Sequence, residues 1–189
     1  MANKVKFGLC NVHIAPIIAL SNNGITYDTP FALPGAVNLT LDPEGESADF
    51  FGDNTKYFSE YANQGYSGSL EIALINDAFR TKVLGETTDS NGAMIESTDD
   101  TIKDFALGFQ INGDKTNRKY WFYNVSAQRP STASNTMESS KEPNTDTLNI
   151  TANARINDNK VKVFLEETED NKTAYANFFN EVYESIISG

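Results

Sequence analysis

Cysteine and histidine are nearly missing from this 189-residue chain, which has one of each, Cys10 and His13. A single cysteine cannot form an internal disulfide, and the compartment this predicts is a reducing cytoplasm. With one histidine, a Ser-His-Asp or Cys-His arrangement has one candidate base. One His and one Cys also fall short of the roughly four ligands of a zinc site. Cations are scarce too: Lys and Arg number 15 against 26 Asp and Glu, a formal net charge of −11. That argues against a sequence-reading nucleic-acid binder, which needs a basic face to neutralise phosphates. It is compatible with a surface that lets DNA pass without gripping it. No apolar run is long enough to span a membrane. The opening stretch MANKVKFGLCNVHIAPIIAL is too polar at its start and too broken to predict a signal peptide.

What the chain does have is the composition and rhythm of a β protein. Its 12 Phe, 8 Tyr and single Trp favour strands, and its length predicts one domain, 1–189, with a proper core. Period-two alternation recurs at Val5, Phe7 and Leu9, at Val37, Leu39 and Leu41, and at Phe105, Leu107, Phe109 and Ile111. Asn23-Gly24 predicts a hairpin turn. The run Arg118–Arg129 is apolar on both faces near Trp121 and belongs inside the sheet system. In Thr145–Ile156, Leu148, Ile150, Ala152, Ala154 and Ile156 form one face, and Thr145, Thr147, Asn149, Thr151, Asn153 and Arg155 the other. This stretch is expected to pair as a hairpin with Val161, Val163 and Leu165.

The segment Asn63–Gly85 reads as strand, cap, helix and stop. Gly65 and Gly68 suit a turn or bulged strand entry. Leu70, Ile72 and Leu74 alternate with Ser69, Glu71 and Ala73. Asn76 or Asp77 can cap a short helix that buries Phe79, Val83 and Leu84, and Gly85 ends it. Asp42–Gln64, Glu86–Lys103 and Pro130–Asn144 read as long polar loops. Helical spacing of Tyr175, Phe178, Phe179, Val182, Tyr183 and Ile186 predicts a C-terminal helix over 170–189, capped by Thr168 or Asp170. The fold class expected is mainly antiparallel β, a sandwich or partly open barrel, with a short central helix and a C-terminal helix.

No constellation points to catalysis. His13 sits in or beside the first strand and reads as structural. Cys10 reads as a small buried apolar residue. The acids Asp42, Glu44, Glu46, Asp49 and Asp53 lack the spacing of a calcium loop and read as a solvated loop. The glycines around Tyr66 are followed by no Gly-Lys-Ser/Thr. Neither enzyme activity nor a metal or cofactor is expected.

Several stretches carry a family likeness: Ala32-Leu33-Pro34-Gly35-Ala36-Val37 running into Leu41-Asp42-Pro43-Glu44-Gly45; Asn63–Gly85; Tyr123-Asn124-Val125-Ser126-Ala127; and Thr147–Ala152. With these, the chain resembles the major tail protein, or tail tube protein, of long non-contractile-tailed bacteriophages of Gram-positive hosts. The likeness reaches to about Arg155.

The resemblance implies a structural virion protein that self-assembles. Hexameric rings stack into a tube around a tape-measure protein, between tail terminator and distal tail proteins, and the tube conducts the genome into the host. Assembly would take place in the host cytoplasm, the product would sit in the virion tail, and no membrane insertion is expected. The inner sheets join around a lumen, and a long loop contacts the next ring. On this sequence that loop is 42–64, with Asp42, Glu44, Glu46, Asp49 and Asp53 as contact residues. The lumen-lining face is Asn38, Thr40, Ser69, Glu71, Thr147, Asn149, Thr151 and Asn153. The helix bearing Phe79, Val83 and Leu84 braces the sheet from the other side. Two rival readings are the tube of a tailocin or other tail-derived injection device, and a monomeric β-sandwich carbohydrate-binding module.

Overall fold

The computed structural model describes residues 5–21, 24–113, 117–134 and 144–185. Along the chain come β1 (Lys6–Ser21), β2 (Gly24–Tyr27), β3 (Phe31–Ala32) and β4 (Ala36–Glu44). Then follow β5 (Ser47–Gly52), β6 (Thr55–Tyr61) and β7 (Gly65–Ile72). A helical segment, α1 (Asp77–Phe79), continues as a π-helical turn over Arg80–Leu84. After it come β8 (Thr87–Thr88), β9 (Met94–Ile95), β10 (Phe105–Gly113), β11 (Arg118–Ala127), β12 (Asp146–Asn153) and β13 (Lys162–Glu166). A short 3-10 turn over Glu169–Asn171 leads into α2 (Lys172–Ala176). The fold is mainly β, as the alternation predicts.

Among the described residues, one nine-stranded antiparallel sheet carries the molecule, in the order β2-β1-β10-β11-β12-β7-β4, with β13 on β11 and β3 on β1. It curls without closing. Residues from both halves of the sheet therefore meet in one core: Ile14, Leu107 and Phe122 from one half, Leu70, Ile72 and Leu148 from the other. Phe79, Val83 and Leu84 of the α1 segment are buried in that core, and Phe79 meets Phe105 edge-on at 5.7 Å between ring centroids. A second, smaller core lies on the opposite face of β1, β10 and β11. There Ala15, Ala106, Trp121 and Tyr123 pack against Phe178 and Val182. Strands β10 and β11 are thus covered on both sides, which is why β11 is apolar on both faces near Trp121 and why Ala106 and Gly108, between the large apolar residues of β10, are buried as well.

The local signals at the centre of the chain hold. Asn76 caps α1, its side chain accepting from the Phe79 N–H at 2.9 Å. Gly85 ends the helical segment at φ 82, where a side chain is strained. The glycines before it do another job. Both lie within β7 rather than in a turn, and a Cβ on Gly68 would stand 1.9 Å from the Thr40 carbonyl oxygen of β4. No side chain fits there, so Gly68 is what lets β4 lie against β7.

Several expectations are corrected. Segment 42–64 is not a loop: β4 runs on to Glu44, and β5 and β6 form a separate antiparallel hairpin beyond it. The expected pairing of β12 with β13 does not occur. Both strands pair with β11, β12 along Asn124–Ala127 and β13 along Arg118–Phe122. Alternation in β12 stops at Asn153, so Ile156 is 72% exposed and Arg155 is buried. Leu74 likewise lies past the end of β7 and is 70% exposed, and Ile75 takes its place in the core. A register shift between Ala36 and Asn38 turns Val37 outward, and Val5 and Phe7 at the start of the chain are exposed. Gly24 pairs with Ser21 as the first residue of β2; Asn23 lies outside the described residues. The C-terminal helix is much shorter than 170–189. α2 ends at Ala176 and turns continue to Val182, while Ile186 lies outside the described residues.

The C-terminal segment docks on its own sheet rather than extending as a helix, because β11 supplies partners for its backbone. Lys119 Nζ donates to the Tyr175 carbonyl at 2.7 Å, Trp121 Nε1 to Phe178 at 2.8 Å and Tyr123 OH to Tyr183 at 2.9 Å. These alternate residues of one strand satisfy carbonyls that a helix would otherwise have bonded internally.

Candidate assembly surfaces

The eight residues expected to share a polar face do share one. Strands β4, β7 and β12 are neighbours, and directly paired residues of antiparallel strands project to the same side. Asn38, Glu71 and Thr147 form one cross-strand row, and Thr40, Ser69 and Asn149 the next. A third row is Asp42, Ser67 and Thr151, extended by Ser126 of β11, and Asn153 stands opposite Asn124. No Lys or Arg occurs in these rows; their charges are the carboxylates of Asp42 and Glu71. Glu71 accepts a hydrogen bond from Thr145 Oγ1 at 2.6 Å. The alternate residues Leu70, Ile72, Leu148, Ile150 and Ala152 are buried on the opposite side, where α1 packs. The result is a wall section with a polar sheet face, an apolar core behind it and a helical brace beyond.

The five expected contact acids do not form one cluster. Asp42 and Glu44 lie on β4, Asp42 within the polar face itself. Glu46 leads into β5, Asp49 lies within it and Asp53 is at the tip. Asp49 accepts from Lys56 Nζ at 2.8 Å and from Ser59 Oγ at 2.7 Å, bonds that hold its carboxyl below the usual carboxylate range. Asp53 and Asn54 both take positive φ, 51 and 62, the backbone of a tight type I′ hairpin turn.

Sequence reasoning missed the aromatic character of this hairpin. Phe50 and Phe58 face each other across it, and both are exposed, 63% and 52%. Phe51, Tyr57 and Tyr61 are exposed as well. The five aromatics were the available signal, but they are interleaved with acids, so the segment's mean polarity hid them. An isolated two-stranded hairpin is marginal in water, and one carrying five uncovered aromatic rings calls for a partner surface.

No protein-family model matches the chain, and no curated protein matches it significantly. The functional reading therefore rests on the residues and their arrangement.

His13 takes no part in the wall or the hairpin. Its ring stacks on Phe179 at 4.6 Å, and Nδ1 lies 2.8 Å from the Asn11 carbonyl oxygen. The Cys10 thiol donates to Asn112 Oδ1 at 3.4 Å. Among the described residues, no three His, Cys, Asp or Glu side chains gather as a metal site, and no helix is long and apolar enough to cross a membrane.

A further network, also missed, fixes the C-terminal segment. Arg155 is buried with its guanidinium 4.0 Å over the Tyr123 ring, paired to Asp158 (Nε to Oδ1, 3.0 Å) and to Glu184. Burial alone would push the Asp158 carboxyl up, but hydrogen bonds from Arg155 and Lys160 outweigh it and hold it at about 2. Burial raises the Tyr27 hydroxyl to about 12, and it donates to the Tyr123 carbonyl at 2.9 Å.

Proposed function

We propose that this chain is the subunit of a phage-type tail tube: a structural protein that self-assembles into stacked hexameric rings around a conduit for DNA. The observation that carries the reading is the polar face of β4, β7 and β12. It brings Asn38, Thr40, Ser69, Glu71, Thr147, Asn149, Thr151 and Asn153 to one surface with no cation in its rows. Lys and Arg hold polyanionic DNA by neutralising its phosphates, which releases condensed counterions into solution; hydroxyls, amides and two carboxylates offer it nothing of the kind. Such a surface suits passage better than binding. The core and α1 behind it make the wall stiff, and the β5–β6 hairpin offers the contact to a further subunit. In this reading the partners are other copies of the chain, a tape-measure protein in the lumen and terminating proteins at the two ends, and no catalysis is involved.

Negative-stain microscopy of the purified protein tests this. Rings or tubes with a central hole are expected, together with a concentration-dependent rise in sedimentation coefficient. Dispersed monomers at high concentration would overturn the reading. One observation favours a monomeric carbohydrate-binding module instead, namely the exposed rings of Tyr57 and Tyr61. Those aromatics sit on a two-stranded ribbon separate from the nine-stranded sheet, a weak platform for stacking a sugar. Monomers that bind a glycan array would establish that alternative.

A further inference from the structure

An open groove runs between the start of β1 and the strand β4, at the gap where the sheet fails to close. It encloses about 570 Å3. Its apolar walls include Phe7, Leu9, Val37, Leu39, Tyr120 and Phe122, and its charged lining residues are Lys6 and Lys162. Phe7 and Val37 are 60% and 56% exposed, so the apolar lining is open to solvent. Lys162 Nζ is held over the groove wall, 4.4 Å from the Tyr66 ring centroid and 2.7 Å from the Tyr66 hydroxyl.

We propose that this groove is the acceptor for the β5–β6 hairpin of a second copy of the chain. The inference rests on the self-assembly reading above and goes beyond it by naming both halves of one contact. Three properties match. The hairpin presents Phe50 and Phe58 side by side, and a cavity of about 150 Å3 already holds one benzene ring, so the groove has room for both. The hairpin and its lead-in carry Glu46, Asp49, Asp53 and Glu60 against Lys56 alone, while the described residues lining the groove include Lys6 and Lys162 and no carboxylate; opposite charges on the two surfaces fix orientation and raise the association rate. The hairpin aromatics are left exposed by their own chain. A contact of hairpin on one copy to groove on the next is head-to-tail, and contacts of that kind propagate into rings or filaments rather than stopping at a dimer.

The test is made in a Cys10→Ser background. Chains carrying Phe50→Cys or Phe58→Cys are mixed with chains carrying Phe7→Cys or Val37→Cys and oxidised mildly. A disulfide-linked pair of chains forming only in the mixtures is the expected result. Microscopy that shows rings or tubes without such a crosslink overturns the groove while sparing the assembly reading. Crosslinking only when both cysteines lie on one chain means that the hairpin folds onto its own groove, and also overturns the proposal. Dispersed monomers throughout overturn both. In a second arm, Lys6→Glu with Lys162→Glu should raise the concentration needed for assembly about tenfold at low salt, with an unchanged circular dichroism spectrum. Adding Glu46→Lys and Glu60→Lys to the same chain should restore it. An unchanged assembly threshold in the lysine variant contradicts the proposal.

Discussion

The wall of β4, β7 and β12 has one face on the core and the other on solvent, whereas the hairpin of β5 and β6 has solvent on both. The two are continuous in sequence: β4 leads into β5, and β6 leads into β7. Their side chains follow different rules. In the wall, apart from Val37 at the bulge of β4, apolar residues take the buried or half-buried positions and polar ones the more exposed, so folding of a single chain explains nearly all of them. In the hairpin, aromatic rings occupy exposed positions, so folding of a single chain explains almost none of them. Residues chosen for the monomer and residues chosen for something beyond it can thus be told apart by burial.

Substitutions that break the comparison should separate by effect on monomer stability. Leu70→Ala, at a position only 1% exposed in the wall, should cost about 2–5 kcal/mol in urea denaturation. Phe50→Ser with Phe58→Ser should leave stability within about 0.5 kcal/mol yet abolish higher-order assembly in sedimentation velocity. A hairpin variant that unfolds as readily as Leu70→Ala would show that the hairpin belongs to the folded unit, and the distinction would fail. Next in size is Gly68→Ala. Its Cβ would press on the β4 backbone and should destabilise by about 1–3 kcal/mol, read as a lowered thermal midpoint.

The same contrast shows how far the sequence could be read. The wall was legible because period-two alternation and burial on one side are the same fact seen twice: Ser69 and Glu71 against Leu70 and Ile72, Thr147 and Asn149 against Leu148 and Ile150. The Asn76 cap and the Gly85 stop were legible because each answers a local hydrogen-bonding or steric need. Legibility ended where a register shift or a strand end changed the parity. Val37 turns outward at a bulge, Leu74 and Ile156 lie past the last paired residue, and Arg155 enters the interior because Tyr123, Asp158 and Glu184 receive it. Pairing partners were illegible for β13, since alternation says which face is buried but not which strand lies alongside. The C-terminal segment shows a different limit. Its aromatic spacing fits a helix, but the donors that satisfy its carbonyls, Lys119, Trp121 and Tyr123, come from a strand far away in sequence.

That segment gives a smaller test on a third region. The folded Asp158 carboxyl, held at about 2, lies below its ordinary value of about 3.9. A depressed folded value means that the stabilisation is fully present above pH of about 4 and is lost as pH falls toward about 2. Trp121, the single tryptophan, donates to the Phe178 carbonyl in the same docked segment. Its fluorescence should therefore shift over that window, and Asp158→Asn should abolish the pH dependence of the shift. The smallest effect on stability is expected from Glu71→Lys, on the half-exposed polar face. Tubes should form as before, while a phage carrying the change ejects its genome more slowly, as DNA gains a cation to bind in each subunit. Unchanged ejection would remove Glu71 from the lumen.

The central claim, that the polar face of β4, β7 and β12 lines the inside of a tube, is tested most directly by the reach of a thiol reagent. In a Cys10→Ser background, Asn149→Cys should react with a bulky polymer-linked maleimide in the dissociated subunit. It should be protected from that reagent in assembled tubes while still reacting with a small maleimide. Equal labelling of tubes and subunits by the bulky reagent would place the face outside and contradict the account.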